Sequence, residues 1–79
     1  MNVISIDGID LKQIKADKAC MYAVDRCIDS IVLAYDKPRF NVKKIMYTNF
    51  PRFYEAAKRL GLDYEDAQKA FGILVYTCM

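Results

Sequence analysis

Few residues of this 79-residue chain have the type and spacing for catalysis. Histidine is absent, so the commonest general base and metal ligand at neutral pH is missing. The three cysteines, Cys20, Cys27 and Cys78, form no Cys-x-x-Cys pair, and zinc needs four ligands. Cys20 and Cys27 lie two helical turns apart on one face, about 10 Å along a helix axis, beyond disulfide reach. They read as free thiols of a reducing compartment. Gly8, Gly61 and Gly72 are isolated and build no phosphate-binding loop. Ser5 and Ser30 sit in no nucleophile context. Asp25 and Asp29 share a helix face, a pairing that can hold a cation or exchange protons but is far more common as a solvated surface. Asp7 and Asp10 flank a glycine at a spacing that fits no calcium loop. The expectation is a protein with no catalytic residues, no metal and no cofactor.

Binding chemistry concentrates between Lys37 and Arg59. There Lys37, Arg39, Lys43, Lys44, Arg52, Lys58 and Arg59 meet a single acid, Glu55, for a formal charge of +6 in a chain whose net charge is +2. Both flanking segments are acidic, and such segregation points to an anionic partner. Phe40, Tyr47, Phe50, Phe53 and Tyr54 interleave with the cations, a mixture suited to stacking on bases and contacting phosphates. A plainer reading competes. Phe50, Phe53, Tyr54, Ala57 and Leu60 recur at steps of three and four, the spacing of a core-facing helix stripe. Arg52, Glu55, Lys58 and Arg59 then point outward, and the charges speak for a partner more strongly than the aromatics do.

These residues need a scaffold. Met1 to Ile6 reads as a short strand, and Asp7-Gly8 is a hairpin signal. Ile9 to Gln13 is then either the returning strand or the approach to a helix capped by Asp10. Asp17 caps a helix reaching Tyr35, with Cys20, Val24, Cys27, Ile31 and Tyr35 forming the apolar stripe and Ala23, Ile28 and Val32 widening it. Asp36-Lys37-Pro38 ends that helix. Residues 42–47 fit a short helix capped by Asn41, with Val42, Ile45 and Met46 inward, or a strand. Thr48 or Asn49 caps a further helix that tolerates Pro51 in its first turn, with Gly61 at its end. Asp63 starts the last helix, with Glu65 and Asp66 placed where the helix dipole favours them. Ala67, Ala70, Phe71, Leu74 and Val75 keep the helical period, but β-formers at 73–78 leave a strand open. The predicted fold is one small domain over 1–79, mainly α. It is a compact bundle of three to four helices with a short N-terminal strand or hairpin. The alternative is an α+β fold with N- and C-terminal strands paired.

The segment from Phe53 to Phe71 resembles a helix-turn-helix unit, the fold many transcription regulators use. Ala57 lets two helices approach, Gly61 makes the turn, Leu62 plugs the corner, and Ala67 and Ala70 face inward. The resemblance implies a reading helix in which Gln68 and Lys69 contact bases. The chain departs from the family at Ala67, where a branched aliphatic is usual. It departs also at Asp63, Tyr64, Glu65 and Asp66, which put three carboxylates where the family has neutral or basic residues.

The sequence therefore points to a non-enzymatic binding protein. It reads as a small cytoplasmic adaptor or inhibitor docking on a protein partner, a nucleic-acid-processing one being the kind expected. The predicted contacts are Lys43, Lys44, Tyr47, Arg52, Lys58 and Arg59, with Asp63, Tyr64, Glu65 and Asp66 as a second, acidic edge. Tyr47 or Tyr64 would be the apolar anchor. The alternatives are a helix-turn-helix-like DNA-binding regulator, dimeric in one form, and a single-strand nucleic-acid binder. For nucleic acid the candidate residues are Lys37, Arg39, Gln68 and Lys69. Met1-Asn2-Val3 lacks the basic start of a signal peptide, and no apolar run approaches a membrane span.

Overall fold

Each helix begins on a short polar side chain that accepts a hydrogen bond from a backbone N–H three residues on. The computed structural model describes residues 5–6 and 9–79. Asp10 caps α1 (Leu11–Ala16) through Gln13 N, and Asp17 caps α2 (Lys18–Ala34) through Cys20 N. Asn41 caps α3 (Val42–Lys58) through Lys44 N, and Asp63 caps α4 (Tyr64–Cys78) through Asp66 N. Such caps satisfy donors that a helix start leaves unpaired. Ahead of them β1 (Ser5–Ile6) pairs antiparallel with β2 (Ile9–Asp10), Ser5 opposite Asp10 and Ile6 opposite Ile9. The strand predicted from Met1 and the Asp7-Gly8 turn otherwise lie outside the described residues. The two readings of the segment after Gly8 are both realised, a two-residue strand passing directly into α1.

The molecule is thus mainly α-helical, with α2, α3 and α4 packed mutually and α1 against α2. Its radius of gyration is 12.4 Å, near the roughly 11.6 Å of a compact domain of this length. The core joins Ile14 of α1, Cys20, Ala23, Val24, Cys27 and Ile31 of α2, Phe53, Ala56 and Ala57 of α3, and Ala67, Ala70, Phe71, Leu74 and Val75 of α4. Phe53 and Phe71 meet at 5.0 Å between ring centres, and Phe50 lies 5.6 Å from Phe71.

Three expectations are corrected. Residues 42–60 do not divide at Thr48 or Asn49. Thr48 Oγ1 donates back to the Lys44 carbonyl at 2.8 Å and Asn49 Nδ2 to the Ile45 carbonyl at 2.7 Å, so neither side chain caps a new helix. α3 runs through Pro51, whose ring is exposed, because Ile45, Met46, Phe50 and Phe53 commit both halves to one core. The C-terminal strand is absent: α4 continues to Cys78, since burying Leu74 and Val75 on the Ala67–Phe71 stripe outweighs the β propensity of 73–78. The α+β alternative falls with it. Finally, Tyr35 and Val32 leave the α2 stripe for solvent. Tyr35 follows the last helical residue and packs edge-on against Phe40 at 5.9 Å.

The α3–α4 turn follows its sequence closely. Leu62 N donates to the Ala57 carbonyl and Gly61 N to that of Lys58, the paired bonds of a Schellman ending. Gly61 takes φ +90°, a conformation that favours glycine.

Candidate functional site

Five of the seven central cations, Lys43, Lys44, Arg52, Lys58 and Arg59, sit on α3 or at its end, and helical geometry decides where each goes. At about 100° per residue, with Phe53 facing the core, Lys43, Tyr47, Tyr54 and Lys58 fall toward α4. Arg52 and Arg59 fall toward α2. Lys44 and Glu55 face away from both. The structure therefore divides the predicted contact residues between two flanks of one helix.

On the α4 flank, Lys43, Met46, Tyr47, Phe50, Gln68 and Phe71 line an open groove of about 200 Å³. Its floor is apolar and Tyr47 stands over it, 75% exposed. Lys43 and Lys44 occupy the first turn of α3, which holds no acid. The positive end of a helix disfavours cations there. Among the described residues neither lysine has a carboxylate within 4 Å. Further along this flank Lys58 pairs with Glu55 at 3.2 Å and lies 5.2 Å over the Tyr54 ring. Tyr64 is half exposed, its ring packed edge-on against Phe50 and Tyr54 at 5.3 and 5.2 Å.

On the α2 flank, Arg59 is held by Asp17 at 3.0 Å, so it closes the α3 end onto the start of α2. Arg52 reaches the Tyr22 ring, its guanidinium carbon 5.7 Å from the ring centre, and Arg26 reaches the same ring at 5.9 Å. Tyr22 and Arg26 played no part in the predicted site. Their spacing of four on α2 was the available signal. Arg52, 30 positions from Tyr22, is brought there only by the fold.

The remaining candidates are placed as follows. Asp63 spends its carboxylate on the Asp66 N–H at 2.8 Å, and Glu65 and Asp66 lie in the first turn of α4, so this acidic edge serves the helix start. Gln68 joins the groove. Lys69 is exposed on α4, and Lys37 and Arg39 are exposed in the α2–α3 connection. Asp25 and Asp29 are exposed on α2.

Three groups have displaced proton affinities. The Cys20 backbone N–H, then the Cys20 side chain and Arg59, hold the Asp17 carboxyl below its usual value near 3.8. Burial, reinforced by Asp17, pushes the Cys20 thiol up to about 12, and burial raises Cys27 too. These thiols stay protonated and behave as small apolar groups. Cys78 is exposed. Among the described residues no three Asp, Glu, Cys or His side chains gather to hold a metal ion, and no helix is long and apolar enough to cross a membrane. Comparison with protein-family models, curated proteins and solved structures finds no match to this chain.

Proposed function

We propose that this protein is a non-enzymatic binding module, an adaptor or inhibitor that docks on a protein partner through the α3/α4 groove. The observation that carries the reading is Lys43, placed against the dipole of α3 on the wall of an apolar groove with Lys44 next to it in the same turn; among the described residues neither has a carboxylate within 4 Å. Sequences break a local rule of this kind where function requires it. The groove, about 200 Å³, is smaller than the roughly 300 Å³ at which small-molecule pockets begin and suits one large apolar side chain. The partner is a protein segment that seats such an anchor between Met46, Tyr47 and Phe71 and sets acidic residues against Lys43 and Lys44. The anchor supplies affinity; the charges supply register and on-rate. Nucleic acid fits this face less well. Its floor is apolar, and Asp63, Glu65 and Asp66 crowd the start of α4, where they repel phosphates.

A photo-crosslinking amino acid at position 47 tests the reading in cells that express the protein. A discrete protein adduct is expected, insensitive to nuclease, weakened by Lys43→Glu and absent when the crosslinker sits at exposed Asp25. Adducts that vanish with nuclease, or that form equally from position 25, overturn it.

A further inference from the structure

The Arg26–Tyr22–Arg52 cluster is a second site, on the opposite flank of α3. Two guanidiniums from different helices converge on one ring, 5.9 and 5.7 Å from its centre. The ring is itself 52% exposed. Among the described residues neither arginine has a carboxylate within 4 Å, whereas Arg59, about two turns on at the end of α3, has Asp17. A guanidinium resting on an aromatic face is held in orientation by that contact, and its N–H edge keeps its donors for a planar oxyanion. Tyrosine and arginine together are the composition of interface hot spots.

Geometry narrows the ligand. Both guanidinium carbons lie within 6 Å of one ring centre, so they are less than 12 Å apart. Two acidic side chains one turn apart on a helix have Cβ atoms about 5–6 Å apart and longer reach at their carboxylates, which spans that gap. A nucleic-acid strand fits less well. It carries a charge about every 3.4 Å, and the exposed carboxylates Asp25 and Asp29 flank Arg26 on α2 while Glu55 follows Arg52 on α3. A continuous polyanion meets those acids; two discrete carboxylates need not. We infer that Arg26, Tyr22 and Arg52 form a docking site for an acidic helix of a protein partner, each arginine taking one of two carboxylates spaced one turn apart. This site stands independently of the α3/α4 groove.

The test is an NMR titration of the intact protein, following the backbone amide signals and the arginine Nε–Hε signals. The probes are a capped alanine-based helical peptide with glutamates at i and i+4, the same peptide with glutamines, and an oligothymidylate. Saturable shifts of Arg26 and Arg52 with the glutamate peptide alone are expected. Replacing either by lysine should weaken binding about fivefold, the upper range for an exposed ion pair. Arg59→Lys, and Tyr47→Asp in the groove, should leave it unchanged. Three results would overturn the assignment: no saturable shift at these arginines, equal shifts at Lys12, Lys15, Lys43 and Lys44, or tighter binding of the oligothymidylate.

Discussion

Two glycines, one in the α3–α4 turn and one inside α4, should respond to alanine with opposite signs. At Gly61 an added Cβ meets nothing within 4 Å, yet the backbone lies at φ +90°. The cost is therefore conformational, about 1–2 kcal/mol for an L-residue held left-handed. At Gly72 the Cβ also meets nothing within 4 Å, but the residue lies inside α4. Alanine there gains about 0.8–1.0 kcal/mol of helix propensity. For a domain of this size 1 kcal/mol moves the melting temperature by about 4–8 °C. Gly61→Ala should melt about 4–16 °C lower than the parent and Gly72→Ala about 3–8 °C higher, followed by far-UV circular dichroism. The second variant is the sharper one, because a strand over 73–78 would gain nothing from alanine at 72. A Gly72→Ala protein that melts lower than the parent would refute the continuous α4 and the groove built on it.

Further outcomes follow from the packing and the caps. Phe53→Ala removes a fully buried ring at the centre of the aromatic cluster. It should cost about 3–5 kcal/mol of a total of about 4–12 kcal/mol for this length. Chemical denaturation should show the midpoint lowered by about a quarter or more. Asp17→Ala loses both the α2 cap and the Arg59 contact, so it should melt several degrees below Asp17→Asn, which keeps a capping oxygen. The Asp17 carboxyl is held below its usual value near 3.8. Its contribution is therefore whole at neutral pH and lost as pH falls through that lowered value. The gap in melting temperature between parent and Asp17→Asn should narrow as pH falls below that usual value near 3.8, and a constant gap would contradict the assignment. A thiol reagent should modify Cys78 at once and Cys20 and Cys27 only at the rate of unfolding, counted by intact mass.

The sequence showed the helices through short-range rules. Asp17, Asn41 and Asp63 announced their caps, and Gly61 announced the turn, because those signals are local. The stripes of α2 and α4 were legible wherever burial and period agreed. Pro51 misled, since the forces that carry α3 past it come from Phe50 and Phe53 meeting Phe71, a contact across the chain. The 73–78 segment misled for the same reason, intrinsic propensity yielding to a distant core. At the surface, charge counting along 37–59 placed seven cations together but did not show that α3 would turn its own cations in different directions and leave Lys37 and Arg39 in the connection before it. Arg59 and Lys58 found carboxylates in Asp17 and Glu55. Arg52 found Tyr22, and of the seven only Lys43 lines the groove. Met46 and Phe71 as groove walls were invisible, because each reads in sequence as core.

The first turn of α3 offers the most direct test of the binding account. Lys43→Glu with Lys44→Glu replaces two cations that oppose the helix dipole by two acids that suit it, a gain of about 0.3–1 kcal/mol for each position. The double variant should melt several degrees higher than the parent and lose the protein captured through position 47. A variant that melts no higher, or that binds that protein as tightly as the parent, would contradict the binding account.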